Sequence, residues 1–111
     1  MDKSPDKKRQ QVFTLAVEVG RAPGDDLPEG STGAMLLCYA SGIDEAEAVR
    51  ETVAVLKQAG LNPIEVEGHG TRAEREADGD EIDEDEGALM DRALEQNAVI
   101  VALMTPTHDE D

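Results

Sequence analysis

The sequence predicts an α/β (α+β) two-layer sandwich: a four-stranded mixed sheet, element order β-β-α-β-α-β, with two helices on one face. Three observations predict it. Residues 12–19 alternate in polarity as a half-buried strand does. Two segments, 44–59 and 84–96, carry helical spacing between start and stop signals. Two short apolar runs, 34–40 and 99–104, are bounded by turn residues, as buried strands are.

The first strand runs from Val12 to Val19, with Phe13, Leu15, Val17 and Val19 on one face. Residues 20–33 contain Pro23, Gly24, Pro28, Gly30 and Gly33, too many breakers for a helix. Ala34–Ala40 (AMLLCYA) reads as a strand covered on both faces, and Ser41-Gly42 turns the chain. Asp44 followed by Glu47 has the form of a capping box, so a helix starts there. Its expected buried stripe is Ala46, Val49, Val53 and Leu56, and Gly60 with Pro63 ends it.

Leu61–Glu67 forms the third strand, with Glu65 and Glu67 facing outward. Residues 68–84 read as an acidic, mobile loop, since Glu74–Glu86 holds nine carboxylates against Arg75 alone. The second helix spans Glu84–Gln96, with acids in its first turn, where the helix dipole favours them. Leu89, Met90, Ala93 and Leu94 are expected on its core side, and Asn97 ends it. Val99–Met104 (VIVALM) is apolar throughout, which predicts a central strand stopped by Pro106. Right-handed crossovers would make the last three strands mutually parallel, with the first antiparallel to the second. The competing arrangement is ferredoxin-like and needs an extra strand within 69–77. The domain spans 12–108, between a basic arm (1–11), expected to be disordered, and an acidic tail (109–111).

Charge bounds the function. The chain has 26 acidic and 10 basic residues, a formal −16. Residues 1–11 hold Lys3, Lys7, Lys8 and Arg9 against Asp2 and Asp6, so +4 − 2 = +2, and the remainder carries −16 − 2 = −18. Such a surface repels nucleic acid and anionic membrane, because basic side chains supply most of the affinity for phosphate. The excess of Asp and Glu with few lysines also resembles proteins of salt-loving organisms. Phe13 and Tyr39 are the only aromatics, which makes for a thin core. Cys38 is alone, so it makes no intramolecular disulfide or thiolate cluster. With neither a membrane span nor a secretory signal in the sequence, the expected location is the cytoplasm.

No catalytic constellation is present, and no metal or cofactor is expected. Gly68-x-Gly70-x-x-Ala73 imitates a dinucleotide fingerprint, but nine nearby carboxylates would repel a pyrophosphate. The acidic run fails the calcium-loop spacing: starting from Asp78, the fifth position is Ile82 and the sixth Asp83. Parallel strands would bring Ser41, His69, Thr71, Arg72 and His108 to one sheet edge, where open α/β proteins bind ligands. There Arg72 would hold an anion and His69 would donate a hydrogen bond. The leading expectation is a small, acidic, non-enzymatic protein acting by protein–protein interaction. Its partner is itself, as a homodimer, or a basic protein. The alternative is a small-ligand (anion) binding regulatory domain, or minor enzyme, using the 68–72 loop.

Overall fold

The computed structural model describes residues 10–108, so the basic arm up to Arg9 and the acidic tail lie outside the described residues. Two strands, β1 (Gln11–Gly20) and β2 (Gly33–Gly42), form an antiparallel pair in unbroken register from Gln11↔Gly42 to Gly20↔Gly33. Gly33 is required by this close approach, since a Cβ there would lie 2.2 Å from the Val19 carbonyl oxygen. Helix α1 (Glu45–Gln58) follows, capped by Asp44, whose side chain accepts from the Glu47 amide. Glu47 in turn accepts from the Ile43 amide, one residue earlier than in the reciprocal box. Gly60, at φ +87°, turns the chain into β3 (Asn62–Thr71). A six-residue helix α2 (Arg72–Ala77), then α3 (Glu84–Gln96) and β4 (Val99–Thr107), complete the fold. Asn97 closes α3 in the left-handed conformation, φ 50°.

The α+β sandwich agrees with the sequence reading; the element order gains the short helix α2, and the details of the sheet differ. The strand order is β3-β1-β2-β4 and every neighbouring pair is antiparallel. The sheet is therefore antiparallel rather than mixed. β2 and β3 run the same way on either side of β1, while β4 runs opposite to both. The reason lies in residues 72–83. Because α2 and the following turn precede α3, the chain re-enters the sheet beside Ala40, at the end where β3 left it beside Phe13. Residues 69–77 hold the end of β3 and α2, so there is no extra strand of the ferredoxin-like kind.

The helices lie on opposite faces, not on one. Phe13, Leu15, Val17 and Val19 with Ala34, Leu36, Cys38 and Ala40 pack under Ala48 and Leu56 of α1, and Leu27 of the 21–32 loop joins them. Val12 and Tyr39, on the other face, pack under Met90 and Ala93 of α3, with Leu37, Ile100 and Ala102 beside them. Both parities of β2 are apolar, and covering only one would leave Tyr39 in water. The buried stripe of α1 is Ala48, Thr52 and Leu56, shifted from the expected one; Ala46 is exposed and Val49 and Val53 are half-buried. In α3, Leu94 is exposed. β4 continues through Pro106 and lies at an edge rather than the centre.

Arg21 and Asp25 fasten the loop between β1 and β2. The guanidinium meets both carboxylate oxygens, at 2.9 and 3.2 Å, and donates to the Ser31 carbonyl at 2.8 Å. Asp25 also accepts from the Ala22 and Leu27 amides. The Arg21 bond, first, and these two amides hold its carboxyl well below the usual carboxylate range. Among the described residues no helix is long and apolar enough to cross a membrane.

Candidate functional site

The densest polar cluster lies between the sheet and the start of α3. Thr14 of β1 and Tyr39 of β2 are opposite each other in register, on the α3 face. Arg75, from α2, reaches over them. It donates to Glu86 Oε2 at 2.6 Å, to Thr14 Oγ1 at 3.1 Å and, through Nε, to Asp80 Oδ2 at 3.1 Å. The Tyr39 hydroxyl donates to the same Glu86 oxygen at 2.5 Å. Arg75 is positioned by the end of β3. Gly70, at φ +92°, admits the turn, and Thr71 caps α2 in a reciprocal box with Glu74. Thus the Gly68-x-Gly70 spacing serves a strand exit, and Thr71 serves a cap.

Burial, then the bond to Glu86, raises the Tyr39 phenol above its ordinary value, so it stays protonated at neutral pH. Burial pulls Arg75 down, but its bonds to Glu86 and Asp80 outweigh this and leave it raised. Neither Tyr39 nor Arg75 therefore exchanges a proton near neutrality. With three partners already engaged, Arg75 acts as a pin that holds the acidic segment against the sheet. An open cleft of about 330 Å³ adjoins it, lined by Thr14, Leu37, His69, Arg75, Asp78, Asp80 and Glu86.

The five residues expected to converge do not meet in one place; Thr71 serves as the α2 cap. His69 lines this cleft, while Arg72 pairs at the surface with Glu76 (3.6 Å) and Asp91 (3.2 Å). Ser41 is buried at the same end of the sheet, but lines a different cavity of about 380 Å³ with Glu47, Glu51, Val55, Asn97 and Val99. Its hydroxyl donates to Gln10 at 2.9 Å. His108 follows the end of β4, where Thr107 opposes Gly33. At about 3.3 Å per residue, that is roughly 25 Å along β2 from Ser41. The convergence required β4 to run parallel to β2, and it does not. Among the described residues no group of three or more His, Cys, Asp or Glu is placed to hold a metal ion. Cys38 is buried, and its thiol is pushed up to about 11 by burial, which makes it inert packing.

The second feature is an edge. β4 carries no charged residue over Val99–Thr107, yet Val101, Leu103 and Met104 are 41%, 58% and 43% exposed. The other edge, β3, is blunted by Pro63, Glu65, Glu67 and two register shifts against β1. Sequence reasoning missed Thr14, Arg75 and Glu86 as partners of Tyr39. The available signal was scarcity: the one tyrosine, the one cation in Glu74–Glu86 and a threonine in an apolar strand.

Fold and site together define a small acidic α+β sandwich with a pinned polar cluster and one uncharged sheet edge. Over residues 12–108 the chain matches the family described as a domain of unknown function, DUF8846, and it belongs to that family. No curated protein and no solved structure matches it.

Proposed function

We propose that this is a non-enzymatic, cytoplasmic protein that acts through protein–protein contact, its first partner being a second copy paired along β4. One observation carries the reading: β4 has the composition of a central strand and the position of an edge strand. A strand apolar on both faces is normally flanked on both sides, and a long, uncharged edge left open invites pairing. A second copy suits it best. Antiparallel pairing about a two-fold axis presents the same edge to itself, so an uncharged seam meets an uncharged seam. A basic strand would find no carboxylate on β4 to favour it. Pairing joins two four-stranded sheets into one, and the half-exposed Val101 and Met104 become interior.

Light scattering tests this at low and at high salt. The expected mass is twice the 11.9 kDa of the chain, falling to that of one chain in Val101→Lys/Leu103→Lys. A wild-type monomer at both salt concentrations would overturn it.

A further inference from the structure

The helix α3 covers only half of its sheet face. The row Thr14–Tyr39–Ile100 lies beneath it. The next two rows are set by strand register. One is Glu67–Ala16–Leu37–Leu103 and the other Glu65–Glu18–Met35–Thr105, each running from β3 through β1 and β2 to β4. On the opposite face the same stretch of sheet is roofed, with Val17, Val19, Ala34 and Leu36 buried beside Leu27 of the 21–32 loop. No such cover exists on the α3 side among the described residues, and Met35 and Leu103 are exposed.

This bare surface is divided by chemistry. Its β1–β3 side carries Glu18, Glu65 and Glu67, and its β2–β4 side carries exposed Met35 and Leu103, with half-buried Leu37 at the margin of α3. A shallow cavity of about 130 Å³ marks the boundary, lined by Ala16, Glu18, Met35, Glu65 and Glu67. Glu18 stands directly opposite Glu65, a like-charge pairing that destabilises a sheet. Among the described residues no basic side chain pairs with any of the three glutamates.

We propose that this surface docks an amphipathic helix of a basic partner protein. The apolar stripe of that helix lies on Met35, Leu37 and Leu103, and its lysine or arginine flank faces Glu18, Glu65 and Glu67. The dimensions suit one helix. Four strands span about 14 Å, close to the ~10–12 Å diameter of one helix with its side chains, so a helix lying along the strands meets both sides at once. A strand is excluded, because β1 and β2 already have neighbours on both sides. A helix fills the place beside α3 that α1 and the 21–32 loop fill on the other face. It also supplies the countercharge that the Glu18–Glu65 pair lacks among the described residues.

The test uses the full chain and a helical peptide with leucine on one face and lysine on the other. Two control peptides replace lysine by glutamate, or leucine by serine. Amide chemical shifts in the wild-type protein should move at residues 16–18, 35–37, 65–67 and 103–105 with the first peptide only. Glu18→Lys/Glu65→Lys, at exposed sites, should weaken binding by about tenfold or more, equivalent to ~1.4 kcal/mol. Shifts centred on residues 74–86, equal binding by the serine control, or unchanged affinity in the double variant would each overturn the proposal. Because wild-type shifts locate the site without any variant, and β4 pairing is read by mass, failure here leaves the dimer reading standing.

Discussion

Removing Arg75 isolates what the pin contributes. In Arg75→Ala, Glu86 keeps the Tyr39 hydroxyl as a partner but loses its countercharge, and Thr14 and Asp80 lose a donor. The Arg75 and Glu86 side chains are only 15% and 17% exposed, so solvent cannot fully replace the guanidinium. Breaking a buried pair by removing one partner costs about 3–5 kcal/mol. Partial exposure brings the expectation down to about 2–4 kcal/mol, or roughly 8–16 °C in Tm at about 4 °C per kcal/mol. Urea unfolding at fixed salt measures it. A double-mutant cycle with Tyr39→Phe should show coupling above about 0.5 kcal/mol, since both donors share one Glu86 oxygen. Tyr39 is the only tyrosine in a chain without tryptophan, so its ultraviolet titration is read without interference. A folded pKa raised above the unfolded value of about 10 gives stability that is complete below that pH and is lost as pH rises beyond it. Glu86→Gln removes the adjacent negative charge and should lower the Tyr39 pKa toward its ordinary value. A loss below about 0.5 kcal/mol on removing Arg75, with Tyr39 ionising normally in the folded protein, would refute the buried-pin account.

Two further perturbations address the framework. Asp25→Asn should lower Tm at neutral pH, and the gap to wild type should narrow as pH falls below about 4. The depressed carboxyl contributes stability above its unfolded pKa and loses it in acid; a gap constant across that range would refute the role of the Arg21–Asp25 pair. Gly33→Ala drives a Cβ to 2.2 Å from the Val19 carbonyl oxygen, so β1 and β2 must separate at that end. The expected cost is about 2–3 kcal/mol by chemical denaturation, and a neutral result would mean the strand ends are not paired as described.

Local signals carried most of the secondary structure. Asp44 and Asn97 cap helices as their chemistry predicts, and the odd residues of 13–19 face one core. Strand direction was not legible, because it depends on where residues 72–83 return the chain, and propensity is silent about that. Helix placement was misjudged for a related reason. The alternation of Thr14, Ala16 and Glu18 in β1 looks solvent-facing in sequence, yet Thr14 is buried under Arg75. His69 lines a cleft whose other walls, Thr14, Arg75 and Glu86, the sequence did not point to. Its expected neighbours Ser41 and His108 reach other parts of the sheet, because β4 runs antiparallel to β2.

The uncharged character of β4 gains meaning from the charge elsewhere. Two copies of a −16 chain repel each other, so a seam between them must be free of charge and must depend on salt in a definite sense. At about 0.1 M salt the screening length is ~10 Å and at 1 M about 3 Å. Added salt suppresses the repulsion and leaves apolar burial at Val101 and Met104 intact, so dimerisation should tighten. Binding of a basic helix at Glu18, Glu65 and Glu67 rests on attraction between opposite charges, and the same salt should loosen it. The two proposed contacts should therefore respond to one variable with opposite signs. A dimer that falls apart as salt rises would mean that ion pairs, not the β4 edge, hold the copies together.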